Sequence, residues 1–188
     1  MYAVRANLGR IRRDENALWS LSPHDLSMFG FLLGEQPLSV SARGRAFLHK
    51  QIEDVVFVNL DYPSGTMAQI QLSWLDPHKT RRLTVVGSNK MAVFDDTCTT
   101  EKLKIYDKGV RPSPEYESYG EFPSLHSGDV YIPRVSPIEP LFLESLHLLA
   151  VARGLESPLT PGQNGLETVR ILEAAERSMR SGGAPERI

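Results

Sequence analysis

The sequence predicts an α+β fold: an open, mostly antiparallel or mixed β-sheet with helices packed on one face. Three observations carry this. A helix start stands early in the chain, a central block of alternating segments reads as consecutive strands, and two further helix patterns close the chain. With 188 residues the chain can bury roughly two thirds of its unfolded surface, so residues 1–188 are read as one domain.

The elements follow in order. Residues 1–6, MYAVRA, suit a short strand. Ser22-Pro23-His24-Asp25 then opens a helix: Ser22 is placed to cap, Pro23 loses nothing by lacking an amide hydrogen in the first turn, and Asp25 completes a capping box. That helix spans 23–33 and ends at Gly34, with Leu26, Phe29 and Leu33 inward and Met28 and Leu32 flanking them. Residues 38–47 alternate as a strand in which Gly44 marks a bulge or a close approach.

Next comes DVVFVNLDYPSGTMAQIQLSWL, two strands around Pro63-Ser64-Gly65, where proline presets one turn torsion and glycine takes the positive one. Ala68, Ile70, Leu72 and Trp74 share the core face; Met67, Gln69, Gln71 and Ser73 share the other, which suits a contact with another subunit. RRLTVVG and MAVFD pair around residues 87–90, and KLKIYD follows. Residues 108–135, rich in Pro, Gly, Ser and Tyr, read as an irregular excursion, with Tyr116 and Tyr119 either lining a cleft or anchoring a loop. Ser136-Pro137-Ile138-Glu139 begins a second capped helix that stops at Gly154. Asn164-Gly165-Leu166-Glu167 begins a third, with Leu166, Val169, Leu172, Ala175 and Met179 inward, and Glu173–Arg177 and Glu176–Arg180 spaced as ion pairs.

Composition narrows the function. Lys and Arg total 21 against 23 Asp and Glu, mixed along the chain, so no basic field addresses a nucleic acid. The clusters at 10–13 and 79–82 read as solvated or ion-paired surface, and the second also suits an anionic small molecule. Cys98 is the only cysteine, which excludes an internal disulfide and fits a cytoplasmic protein; no reactive motif surrounds it, so a buried or inert thiol is expected. No apolar run reaches the length of a membrane span.

The common self-contained catalytic motifs are missing from the sequence: no Gly-x-Gly-x-x-Gly turn, phosphate loop, Gly-x-Ser-x-Gly elbow or His-Glu-x-x-His helix occurs. The five histidines, at 24, 49, 78, 126 and 147, are scattered and give no metal signal. His49 and Glu53 look like solvated loop positions, and His147 reads as a hydrogen-bonded packing residue. His24, in the first turn of a helix, is a candidate general base; its bland alternative is an ordinary exposed side chain. Asp76, His78, Lys79 and Arg81, at a strand exit, are candidates for contact with a sugar or phosphate, or else a polar turn capped by Asp76.

Three stretches, NLGRIRRDENALWSLSPHDLSM, SWLDPHKTRRLTVVGSNKMAVFDD and GLETVRILEAAERSMRSGG, together resemble the carboxy-terminal part of the Gfo/Idh/MocA oxidoreductase family. The resemblance spans essentially the whole chain and is nearest to members acting on sugars or nucleotide sugars. It implies an open mixed sheet with helices on one face, oligomer contacts through the other face, and NAD or NADP as cofactor of the complete enzyme. The cofactor is held there by a Rossmann domain preceding this part, whose fingerprint this sequence lacks. His24 matches the family's proton-transfer histidine. Ser20 stands where the family commonly has the aspartate of an Asp-x-Gly-x-His-like pattern, and a serine hydroxyl cannot supply a carboxylate's charge to the imidazole.

The expectation is therefore a detached, truncated or degenerate substrate-binding and oligomerisation domain, inactive alone and binding no cofactor or metal by itself. Its expected partners are a second copy, a sugar or nucleotide sugar and a separate Rossmann domain, with no nucleic acid and no membrane. The alternatives are a noncatalytic carbohydrate-binding or scaffold module and one half of a split dehydrogenase.

Overall fold

Strict alternation in the middle of the chain produces a sheet with one dry face. The computed structural model describes residues 1–9, 11–111 and 124–188. In chain order these form β1 (Tyr2–Ala6), α1 (Ala17–Leu21), α2 (Pro23–Leu33), β2 (Ser39–Arg45), β3 (Val55–Asp61), β4 (Met67–Ser73), β5 (Thr80–Val86), β6 (Met91–Asp95), β7 (Leu103–Arg111), β8 (Ser124–Tyr131), α3 (Pro140–Ala152), α4 (Gly162–Arg180) and β9 (Glu186–Arg187). The strands make one open sheet in the order β8-β7-β6-β5-β1-β4-β3-β2-β9. β1 runs parallel to β4, and the other neighbours are antiparallel, so the sheet is mixed.

The β3–β4 hairpin shows how the pattern works. Val56, Val58 and Leu60 are buried and stand opposite Leu72, Ile70 and Ala68, which are buried as well, while Phe57, Asn59 and Met67 face outward. The turn places Gly65 at φ +80°, a torsion that glycine adopts without strain. Helices cover the buried face: α1 packs on β3 and β4, α4 on β2 and β9, and α2 on α1 and α4. Trp74, Phe29 and Leu18 are the largest side chains fully enclosed between the layers. Gly44 is a close approach, since a Cβ there would meet Glu53 Cγ at 2.7 Å and Met179 Sδ at 2.9 Å. Burial pushes the Tyr62 phenol up to about 12, with Glu35 adding to the shift. Among the described residues no helix is long and apolar enough to cross a membrane.

Several local expectations are corrected by their surroundings. The capping box at Ser22 does not form, because α1 supplies the preceding turn. Ser22 is itself in the right-handed helical region, its hydroxyl donates to Leu18 O at 2.7 Å, and Asp25 is engaged by Arg5. The second helix starts at Pro140 with no side-chain cap, four residues beyond Ser136. The third starts at Gly162, which leaves Asn164 inside its first turn. The inward face of α4 is Ile171, Leu172, Ala174, Ala175 and Ser178, whereas Leu166 and Val169 are exposed. Small residues at 174, 175 and 178 let α4 lie close to β2, where Ser178 Oγ accepts from Ala42 N at 2.9 Å and donates to Ala184 O at 2.6 Å. The Glu176–Arg180 ion pair forms, but Arg177 pairs with Glu186 of β9 instead of Glu173.

Within 108–135, residues 108–111 and 124–131 are strand rather than irregular. β7 continues to Arg111 and pairs with β8, so both flanks of the stretch are strand. Tyr116, Tyr119 and Arg10 lie outside the described residues.

Candidate functional site

A cleft of about 160 Å³ opens where four segments meet, lined by Arg5, Ala6, Asn7, Ser20, Leu21, His24, Lys79, Thr80 and Arg81. Strand register builds its floor. β1 and β5 pair antiparallel with Ala6 opposite Thr80 and Arg5 opposite Arg81, so the two arginines lie side by side on the face that bears Ala3 and Leu83. The α1–α2 junction supplies the wall, Ser20 from the end of α1 and His24 from the second position of α2. Lys79 arrives from the segment between β4 and β5, and Thr80 is the first residue of β5.

The charges in the cleft differ in freedom. Arg5 makes a two-pronged pair with Asp25, Nε to Oδ2 at 2.8 Å and Nη2 to Oδ1 at 3.0 Å, and both side chains are largely buried. Its role is to fix the start of α2 against β1 and thereby hold His24 in place. Arg81 is half exposed with Asp96 at 3.5 Å, and Lys79 is exposed. Cations at the rim with an imidazole opposite suit an anionic ligand bearing a hydroxyl. No hydrogen bond joins Ser20 to His24 among the described residues, so the imidazole has no second group orienting it from that side.

The structure thus brings four of the sequence-predicted site residues together, Ser20, His24, Lys79 and Arg81, although they are spread over three segments of the chain. Asp76 and His78 lie outside the lining; Asp76 Oδ1 accepts from His78 N at 2.9 Å, which makes this stretch an Asx turn. Arg5 and the pairing role of Asp25 were missed by sequence reasoning. One signal pointed to them: alternation from buried Ala3 places Arg5 on the helix-covered face, where an arginine requires a counter-ion.

Larger concavities lie elsewhere, and none gathers the predicted residues. Two, of about 390 and 520 Å³, share Asn16, Gln51 and Glu176 beside α4. A third, of about 390 Å³, lies on the uncovered sheet face among Tyr2, Arg82, Asp95, Cys98, Lys104 and Tyr106. There Asp95 is held below the usual carboxylate range chiefly by the Thr97 hydroxyl and further by Arg82, and Glu101 raises Lys104. On the same face Met67 and Gln69 are exposed, but Ser73 is buried and its hydroxyl accepts from Leu75 N at 2.9 Å, so it offers no contact group.

Cys98 is half exposed rather than buried, and the backbone amides of Glu101 and then Thr100 lower its thiol pKa below the ordinary value. The expectation of a buried thiol is corrected, and amides that stabilise the thiolate make its reactivity testable. The pH midpoint of Cys98 alkylation by iodoacetamide should fall below that of a free cysteine peptide. An equal or higher midpoint would show that the amides do not reach the sulfur in solution.

The GFO/IDH/MocA C-terminal domain family matches residues 5–93, a span that contains every residue lining the cleft. An uncharacterized oxidoreductase of Bacillus subtilis, YrbE, is 23% identical over 183 residues, 94% of this chain and 49% of that protein. Two solved structures are similar in fold. UDP-N-acetylglucosamine 3-dehydrogenase GnnA from Acidithiobacillus ferrooxidans has a TM-score of 0.63 at 21% identity, over 96% of this chain and 54% of its own. The WlbA dehydrogenase from Bordetella pertussis, in complex with NADH and UDP-GlcNAcA, has a TM-score of 0.66 at 17% identity, over 100% and 54%. This chain spans about half the length of these relatives. Residues 5–93 thus match the Gfo/Idh/MocA C-terminal domain family, and the mixed sheet with its one-sided helical layer agrees with that fold.

Proposed function

We propose that this domain is the substrate-binding and oligomer-forming part of an NAD(P)-dependent oxidoreductase acting on a sugar or nucleotide sugar in the cytoplasm. The observation that carries the reading is the convergence of His24 with Lys79 and Arg81 at one cleft. His24 accepts the proton of a substrate hydroxyl, while Lys79 and Arg81 meet an anionic part such as a diphosphate. Ser20 stands at the cleft in place of a carboxylate, and Asp76 with His78 shapes the loop that carries Lys79. The names of GnnA and WlbA, a UDP-sugar dehydrogenase and a dehydrogenase bound to a UDP-sugar, support the nucleotide-sugar form.

The dinucleotide does not fit this chain, whose sequence has no glycine-rich turn leading into a helix to receive a pyrophosphate. The hydride acceptor belongs on another polypeptide segment. Cleft size agrees with this division: about 160 Å³ is well below the roughly 300 Å³ at which small-molecule sites begin, so further walls complete the site.

Calorimetry on the chain alone should show no saturable NAD or NADP binding. A UDP-sugar should bind more tightly than the free sugar and lose about tenfold on Lys79→Ala with Arg81→Ala. Sedimentation should show self-association through the uncovered sheet face, weakened by Met67→Lys. Micromolar cofactor binding, or a UDP-sugar affinity indifferent to both cations, would overturn the assignment. A noncatalytic carbohydrate-binding or scaffold module is the second reading, favoured by Ser20 and by the absence, among the described residues, of a hydrogen bond from it to His24. It predicts sugar binding without turnover even when a dinucleotide-binding half is supplied, as a split dehydrogenase would require.

A further inference from the structure

Helix α3 reads PLFLESLHLLAVA and buries none of its residues. It is absent from the packed pairs of elements that join the sheet to α1, α2 and α4. Its six largest apolar side chains, Leu141, Phe142, Leu143, Leu146, Leu148 and Leu149, are each between 46% and 67% exposed. At about 100° per residue they occupy an arc of about 220°, more than twice the stripe by which a surface helix packs on its own core. Ser145 falls within this arc, but its hydroxyl donates to Leu141 O at 2.8 Å and is already satisfied. No charged side chain interrupts the arc.

The rest of the circumference is tied to the following loop. His147 Nε2 accepts from Leu159 N at 3.1 Å, which leaves its Nδ1 as the donor to Glu156 at 2.8 Å. Glu144 also lies on this side. The helix is therefore held from its polar side and presents its apolar arc away from the loop.

We infer that α3 is the docking surface for the dinucleotide-binding half of the enzyme, a partner of domain size with an apolar contact face. The breadth of the arc decides the occupant. A second copy meeting this one through α3 alone would cover one stripe and leave the remaining leucines wet, whereas an α/β domain lying across the helix covers the full arc. The relatives have room for such a partner: about half of each lies outside the match, and the matching family is a C-terminal domain. An interdomain contact of the usual 600–1,500 Å² is of the size that six leucine or phenylalanine side chains provide. The inference rests on the proposed oxidoreductase reading for the identity of that half.

The test is amide hydrogen exchange across 141–152 in two proteins, this chain alone and this chain fused behind the amino-terminal half of the Bacillus subtilis relative. Protection should rise at least about tenfold in the fusion, and Leu146→Gln with Leu149→Gln should abolish that gain while leaving β3 and β4 protected, since neither leucine is buried here. Equal exchange in both proteins overturns the inference. Protection in the chain alone that vanishes on dilution also overturns it, by assigning the surface to a second copy. NADH binding and sugar turnover by the fusion are read separately. A protected α3 in a fusion without turnover sustains the docking surface and sinks the oxidoreductase reading, and turnover with an unprotected α3 does the reverse.

Discussion

Replacing His24 by alanine should lower turnover about 10²- to 10⁴-fold once the chain is joined to a dinucleotide-binding half, while leaving nicotinamide binding unchanged. The side chain stands at the cleft between Ser20 and the cations Lys79 and Arg81, where a substrate hydroxyl would be deprotonated. Loss of a proton acceptor acts on the chemical step and spares the binding of a dinucleotide carried elsewhere. Unchanged turnover would remove His24 from the mechanism. Ser20→Asp provides a second readout: a carboxylate four residues earlier on the same helical path should orient the imidazole and raise turnover in a dehydrogenase. In a noncatalytic module it should change nothing.

Asp25→Asn should destabilise the fold by about 3–5 kcal/mol, because it leaves the Arg5 guanidinium largely buried without its carboxylate. The denaturant midpoint should fall with an unchanged slope. Arg5→Met combined with Asp25→Leu should recover most of the loss, since removing both charges also removes their desolvation cost. A loss below about 1 kcal/mol would show that solvent screens the pair as it does a surface ion pair, and that β1 does not brace the start of α2. The two experiments separate roles: Asp25 and Arg5 position the helix that bears His24, and their loss moves stability before it moves chemistry.

The sheet was legible wherever alternation met a turn residue. Val56, Val58 and Leu60 against Ala68, Ile70 and Leu72, with Gly65 between, needed only period two and a left-handed glycine. The helix over 23–33 and its Gly34 stop were equally local. Helix starts were less legible because caps compete with neighbours. Ser22 had the residues of a capping box, but α1 ran into it and Arg5 took Asp25. On α4 the sequence placed Leu172 and Ala175 inward, as observed, but added the exposed Leu166 and Val169 and missed Ala174 and Ser178, whose small side chains allow close approach to β2.

For the site, the sequence alone determined the candidates: His24 with its altered partner Ser20, the cationic strand exit at Lys79 and Arg81, and the lack of a dinucleotide fingerprint. The tertiary structure decided which of them meet. β1 enters between β4 and β5, parallel to one and antiparallel to the other, and this placement sets Arg5 beside Arg81 and against Asp25. It also left Asp76 and His78 to an Asx turn and α3 with none of its residues buried. Hydrophobic period and turn chemistry are written within a few residues, whereas the pairing of a strand with partners more than sixty residues away depends on the global arrangement of the sheet.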